Sequence, residues 1–165
     1  MKKISILLIA VLPFLFVPFF SVAQNITTII LIRHAEKETN GNDPSLSSAG
    51  FDRSYKLQKA LPGYNPDYFY STGYKRTQQT ITPWVKAMNK TIIIYSADTI
   101  PALANHLKTM KGKTIVVAGH SNTTPQLANL LLGKEKYTSL DDAVYNKIFI
   151  ITIEDTVITD KVIEY

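Results

Sequence analysis

The sequence contains no cysteine among its 165 residues, and this absence excludes three kinds of chemistry. A disulfide scaffold, a thiolate zinc site and a cysteine nucleophile all need a side chain that the chain lacks. Charged residues are also few, at 19%, and the lysines and arginines form no cluster typical of a nucleic-acid-binding face. With 45% hydrophobic and 10% aromatic residues, the composition is that of one globular domain.

The amino-terminal segment is the longest uncharged part of the chain. Lys2 and Lys3 precede an apolar run over residues 4–20, and Ser21-Val22-Ala23 follow it. A basic start, an apolar middle and small residues before a cleavage site are typical of a secretory signal peptide. We therefore expect residues 1–23 to be removed, leaving a mature domain of 142 residues over 24–165 with a formal net charge of +3 instead of +5.

Residues 4–23 together are about long enough to span a bilayer, so an uncleaved membrane anchor is the alternative. Pro13, Pro18 and the Ser-x-Ala end of the segment favour cleavage. A cleaved protein is expected to be exported, either to the periplasm or outside the cell, and to have no stable membrane partner.

Short apolar runs alternate with amphipathic segments along the rest of the chain. This alternation predicts an α/β fold with a largely parallel sheet covered by helices on both faces. Thr72 is expected to cap the second helix, and Pro83 to kink or break it near Thr82. Strands are predicted at 27–32, 67–71, 91–95, 114–118, 145–153 and 157–163, and helices at 47–61, 74–88, 101–110 and 124–133.

Two histidines directly follow predicted strands. Arg33 and His34 come after the first strand, and His120 comes after the fourth. In open parallel sheets, ligands bind outside the carboxyl ends of the strands, so both imidazoles are expected in one crevice. Arg76 lies one turn into the helix after the second strand and is expected to join them. The sequence therefore predicts a small cationic cluster at this edge of the sheet.

A phosphate dianion is the ligand that suits such a cluster, because guanidinium groups match its oxygens in bidentate fashion. Two arginines also disfavour protonation of a nearby imidazole, and a neutral imidazole is a competent nucleophile. One histidine could then attack phosphorus while the other groups stabilise charge on the equatorial oxygens. His106 lacks such neighbours; its place beside Leu103 and Leu107 indicates a solvent-facing or packing role.

Four motifs follow one another along the chain: Arg33-His34-Ala35-Glu36, Leu46-Ser47-x-x-Gly50, the segment from Ser71 to Thr80, and Gly119-His120-Ser121-Asn122. In this order they resemble the histidine phosphatase superfamily, the phosphoglycerate-mutase-like group. The resemblance runs from about residue 28 to residue 129, and the chain from Tyr145 is similar to the closing strands of the family. It implies a three-layer α/β/α sandwich with a mostly parallel sheet, and no metal or organic cofactor.

The resemblance also implies roles for individual residues. Ala35 stands where glycine is usual and Gly73 where proline is common, without displacing the matched positions. His34 matches the histidine that becomes phosphorylated, Arg33 and Arg76 the arginines of the phosphate pocket, His120 its second histidine, Asn40 an asparagine used on the phosphate, and Asn122 a position that offers a backbone N–H.

No motif identifies the proton donor. The family uses a glutamate or aspartate from a variable loop to protonate the leaving oxygen. Asp98, just after the third strand, is the first candidate, and Glu36 is the second. Either carboxylate is equally suited to a helix cap or a solvated charge.

These expectations predict a metal-independent phosphatase that hydrolyses a small-molecule phosphomonoester through a phosphohistidine at His34. A protein-phosphohistidine phosphatase is an alternative. A phosphate- or anion-binding module with lost or weak turnover is another, and it is favoured if neither Asp98 nor Glu36 reaches the crevice. A zinc hydrolase and a haloacid-dehalogenase-type phosphatase are excluded, because the chain has no H-E-x-x-H motif and no Asp-x-Asp after the first strand.

Overall fold

Strands and helices alternate along residues 25–165, the part of the chain that this computed structural model describes. The signal peptide predicted at 1–23 lies outside the described residues. The strands are β1 (Ile26–Arg33), β2 (Tyr68–Thr72), β3 (Ile92–Tyr95), β4 (Thr114–Gly119), β5 (Lys147–Glu154) and β6 (Val157–Glu164). The helices are α1 (Ser48–Leu57), α2 (Lys75–Ala87), α3 (Ile100–Thr109) and α4 (Thr123–Leu132).

The strands of the described chain form one sheet in the order β3-β2-β4-β1-β5-β6. The first four strands run parallel, whereas β5 is antiparallel to both β1 and β6. In the register between β1 and β4, Arg33 pairs with Gly119. The residues that follow these two strands, His34 and His120, therefore leave the sheet side by side.

The helices cover the sheet on both faces, which confirms the predicted three-layer sandwich. Ile30 and Ile32 of β1 pack with Trp84 of α2 in a cluster that also includes α1. The alternate residues of β1 pack in a second cluster with α3 and α4. Because side chains of a strand point to opposite faces in turn, a strand segment buried on both sides must be apolar, as β1 is from Ile29 to Ile32.

Two helix boundaries match their sequence signals. Ser47 is the N-cap of α1, and its hydroxyl accepts a hydrogen bond from the Gly50 amide. Gly133 ends α4 with φ at 70°, a left-handed conformation that glycine adopts without steric cost. No helix within residues 25–165 is long and apolar enough to cross a membrane.

Helix α2 departs from two expectations. Thr72 is the last residue of β2 and not a helix cap; Tyr74 occupies the N-cap position without a side-chain hydrogen bond. Pro83 does not break the helix, which continues to Ala87. Trp84 and Val85 are buried in the core directly after the proline, and their packing offsets the hydrogen bond that proline cannot donate.

Candidate active site

A cavity of about 590 Å³ opens at the carboxyl ends of β1, β2 and β4. Arg33, His34, Arg76 and His120 all line it, and the rings of the two histidines lie 5.5 Å apart in an edge-to-face arrangement. We call this cavity the crevice. The structure thus brings together the four residues that the sequence predicted to form a cationic cluster.

His34 is held by backbone groups on both sides. Its amide donates to the Gly119 carbonyl at 2.9 Å, and its Nδ1 lies 2.8 Å from the Ala35 carbonyl. A carbonyl only accepts hydrogen bonds, so Nδ1 carries the proton in this contact. In the neutral ring, Nε2 is therefore left with the lone pair that a nucleophile needs.

The crevice keeps both imidazoles neutral. Burial lowers the pKa of His34 to about 4, although the bond to the Ala35 carbonyl acts in the opposite direction, and the charges of Arg76 and Arg33 lower it further. Burial and the same arginines lower the pKa of His120 to about 4. Both rings are consequently uncharged at neutral pH, and the predicted nucleophilic mechanism requires this of His34.

Arg33 is buried, with 4% of its surface exposed, and it joins the crevice to the loop before β5. Its Nη1 donates to the carbonyls of Asp141 and Val144 at 2.7 and 2.8 Å. The guanidinium lies over the ring of Tyr145 at 4.2 Å, and Nη2 is 3.8 Å from the carboxylate of Asp142. This guanidinium is thus fixed in place by the fold itself.

Arg76 enters the crevice from the first turn of α2. Its guanidinium lies 4.3 Å from the centre of the Tyr74 ring and 3.8 Å from a carboxylate oxygen of Asp43. The Nε atoms of Arg76 and Arg33 are buried and have no hydrogen-bond partner among the described residues. An unpaired buried donor is costly, and a bound oxyanion is the kind of ligand that offers several acceptors.

Two predicted phosphate-contacting asparagines differ in position. Asn122 lines the crevice at the N-cap of α4, near the positive end of the helix dipole. Asn40 is exposed in the loop after β1, does not line the crevice, and accepts a hydrogen bond from the neighbouring Thr39. The structure therefore supports the placement of Asn122 and does not bring Asn40 to the site.

The two predicted proton donors do not line the crevice either. Asp98 is exposed in a short 3₁₀ turn after β3, and of that turn Ala97 is the lining residue. Glu36 points to α1, where Arg53 donates to both of its carboxylate oxygens at 2.6 to 3.0 Å. These hydrogen bonds to Arg53 lower the pKa of Glu36, so its carboxylate serves as a structural partner of α1.

Sequence reasoning missed several side chains that line the crevice, and three of them lie beside the arginines. Tyr74 and Tyr145 frame the two arginines, and the fully exposed carboxylate of Asp142 lies beside Arg33. Nothing in the sequence marks Asp142 except its position in a polar loop before β5. It reaches the site because Arg33 binds the loop backbone on either side of it.

Within residues 25–165, no three histidine, aspartate or glutamate side chains are grouped closely enough to hold a metal ion. His106 lies on α3, away from the crevice. Its Nε2 is 3.1 Å from the hydroxyl of Tyr70, and the two rings pack edge to face. His106 is also exposed, so it combines the solvent-facing and packing roles that its sequence context indicated.

Comparisons with known proteins agree with this fold. Residues 29–97 match the model of the histidine phosphatase superfamily (branch 1). The protein histidine phosphatase SixA, in complex with tungstate, is 15% identical with a TM-score of 0.67, covering 83% of this chain and 96% of that chain. A phosphoserine phosphatase mutant from Entamoeba histolytica is 16% identical with a TM-score of 0.59, covering 82% and 95%. No curated relative matches the sequence.

A third solved structure, a mycobacterial glucosyl-3-phosphoglycerate phosphatase, is 9% identical with a TM-score of 0.59 and covers 85% of this chain and 98% of that chain. At such identities the likeness shows the fold, while the matched segment carries the family sequence from β1 to the turn after β3. The resemblance predicted from the sequence is confirmed: residues 29–97 match the histidine phosphatase superfamily model, and residues 25–165 together have the fold of these solved phosphatases.

Proposed function

We propose that this protein is a metal-independent phosphomonoester hydrolase in which His34 is the nucleophile. One observation carries the proposal: a neutral, buried imidazole with its Nε2 lone pair available lies in a crevice with two arginines. The arginines supply fixed positive charge where a phosphoryl group would develop negative charge. Such an arrangement suits attack on phosphorus better than attack on an uncharged ester.

In the first step, Nε2 of His34 attacks phosphorus and the bond to the leaving oxygen breaks. Arg33, Arg76 and His120 contact the three remaining oxygens, and the leaving alkoxide takes a proton from a carboxylic acid. In the second step, water attacks the phosphohistidine and the N–P bond breaks. The carboxylate takes up the proton of the water, so His34 and the acid both return to their starting states.

We assign the acid to Asp142, because it is the carboxylate that lines the crevice among residues 25–165. Its full exposure allows exchange of protons with solvent between turnovers. Asp142→Asn should lower kcat for a poor leaving group by about a hundredfold or more, the range typical of general acid catalysis. Asp98→Asn is the matched control, since that carboxylate is exposed on a turn and does not line the crevice.

Solved structures of the same fold guide the substrate class. One was determined with phosphoserine and another, a protein histidine phosphatase, with the oxyanion tungstate. A small phosphomonoester is therefore the substrate class that we propose, and a panel of phosphomonoesters and a phosphohistidine peptide separates it from the protein-phosphohistidine alternative. Faster hydrolysis of the peptide would favour that alternative.

A second candidate, an anion-binding module with weak turnover, is favoured by one observation. Neither Asp98 nor Glu36 lines the crevice, and Asp142 lies at its open edge. The hydrolase and the binding module should differ in the rate of phosphomonoester hydrolysis but not in the affinity for phosphate. Tight binding of inorganic phosphate without measurable hydrolysis of any phosphomonoester would support the binding module.

The deciding experiment is hydrolysis of an aryl phosphate by the mature protein in the presence of EDTA, followed by rapid quenching at high pH. A labelled phosphoryl group that is stable to base and labile to acid should appear on His34. His106→Ala, which changes a histidine outside the crevice, should leave both hydrolysis and labelling unchanged. Labelling of any residue other than His34 would contradict the proposed nucleophile.

We also propose that the protein is exported. The proposal rests on the basic, apolar and small-residue segments of residues 1–23. Sequencing the amino terminus of protein from the native host tests it, and we expect a start at Gln24. A start at Met1 in the membrane fraction would support the uncleaved anchor.

A further inference from the structure

The ring of His120 is connected to helix α2 through two threonine hydroxyls. Its Nε2 lies 3.0 Å from Oγ1 of Thr72, which in turn lies 2.8 Å from Oγ1 of Thr77. Both threonines are at most 1% exposed, so water does not compete for these hydrogen bonds. The three side chains therefore form a buried hydrogen-bonded chain that ends at the crevice.

The direction of this chain follows from its far end. Oγ1 of Thr77 lies 2.7 Å from the Tyr74 carbonyl and 3.1 Å from the Thr72 carbonyl. Carbonyls only accept, so the single hydroxyl proton of Thr77 is committed to them. Thr77 must then accept the hydroxyl proton of Thr72. With its own proton donated, Thr72 accepts from His120, whose Nε2 must carry hydrogen.

We infer that Thr72 and Thr77 are positioning residues that hold neutral His120 with its proton on Nε2 and its lone pair on Nδ1. The consequence for the reaction rests on the proposed function, in which His120 contacts the phosphoryl oxygens. Neutral His120 has no N–H other than the one given to Thr72. His120 therefore donates a hydrogen bond to a phosphoryl oxygen only after it takes up a second proton, at Nδ1. Binding of a phosphate group is consequently coupled to protonation of this ring.

The tautomer is measured directly by nitrogen NMR of the protein with labelled histidine, without any substrate. We expect His120 to be protonated at Nε2 at neutral pH. In Thr77→Val, the hydroxyl of Thr72 loses its acceptor and is free to donate to Nε2, so the ring should shift toward the form protonated at Nδ1. Thr77→Ser keeps the hydroxyl and should restore the original signals.

Thr82→Val is the matched control. Thr82 lies on the same helix, and its hydroxyl also donates to a backbone carbonyl, that of Gln78 at 2.8 Å. It contacts neither histidine, so the His120 signals and the hydrolysis rate should stay unchanged. Thr77→Val should lower kcat for an aryl phosphate about tenfold, the order expected from one lost hydrogen bond, and Thr77→Ser should regain most of it.

Two results would overturn the inference: an Nδ1-protonated His120 in the unsubstituted protein, or an unchanged tautomer in folded Thr77→Val. The first measurement needs no variant and so decides the matter even if Thr77→Val does not fold. If the protein hydrolyses no phosphomonoester, the proposed function fails, yet the tautomer of His120 still tests the threonine chain separately.

Discussion

His34 and His120 follow adjacent strands and share one crevice, but different groups fix their rings. His34 Nδ1 donates to the backbone carbonyl of Ala35, which no substitution removes. His120 depends on the hydroxyls of Thr72 and Thr77, which a single substitution removes. The tautomer of His34 is therefore a property of the backbone, whereas that of His120 is set by replaceable side chains.

The largest difference between the two should appear in activity. His34→Ala removes the atom that would form the bond to phosphorus and should lower kcat by at least about 10⁴-fold. His120→Ala removes one stabilising contact and should cost about 10² to 10³-fold. Steady-state hydrolysis of an aryl phosphate measures both, with His106→Ala as the control. Equal losses would mean that the two histidines have no separate roles.

The free energy of unfolding should decrease at acidic pH, because His34 and His120 are protonated more readily in the unfolded chain. Burial lowers each pKa to about 4, whereas the ordinary value is 6.5. Between these pH values the unfolded chain binds more protons than the folded chain, so the free energy of unfolding falls as pH decreases from 6.5 toward 4.

Urea unfolding at several pH values measures this dependence. His120→Asn removes one of the two titrations and should make the dependence on pH shallower. Because His34 keeps its own burial, part of the dependence should persist. An identical pH dependence in His120→Asn and the unsubstituted protein would show that His120 does not contribute.

The smallest effect is expected for a change at Thr80, the residue of α2 that binds the backbone next to His34. Thr80 accepts a hydrogen bond from the Ala35 amide at 2.9 Å and donates to the Arg76 carbonyl. Thr80→Val leaves that buried amide unpaired and should lower the free energy of unfolding by about 1–3 kcal/mol. Nitrogen NMR should nevertheless show His34 still protonated at Nδ1. A tautomer change there would break the contrast between the two histidines.

The site residues at the ends of the strands could be predicted from the sequence because the regular secondary structure determines their positions. Apolar runs identify parallel strands, and the carboxyl ends of such strands meet at one edge, so Arg33, His34 and His120 follow from pattern alone. Arg76 follows from its place in the first turn of α2. These positions need no knowledge of how distant loops pack.

The loop residues could not be predicted in this way. Asp142 is brought to the crevice by hydrogen bonds from Arg33, more than a hundred residues away in sequence. Glu36 lies two residues after the predicted nucleophile His34 in sequence, but its side chain is bound by Arg53 of α1. Thr72 is of a residue type common at helix N-caps, yet its hydroxyl contacts His120 across the sheet edge. Each outcome depends on a tertiary contact that local patterns do not contain.

The two carbonyl contacts of Arg33 have a thermodynamic consequence. The guanidinium that would neutralise the phosphoryl group also holds the backbone around Asp142, so one side chain governs both charge and proton supply. The losses of activity caused by changing Arg33 and by changing Asp142 should therefore not be additive, because removing the arginine already displaces the carboxyl group of Asp142. Arg33→Lys would separate the two tasks, since lysine keeps the charge but lacks the forked guanidinium, whose Nη1 binds the loop carbonyls while Nη2 lies beside Asp142.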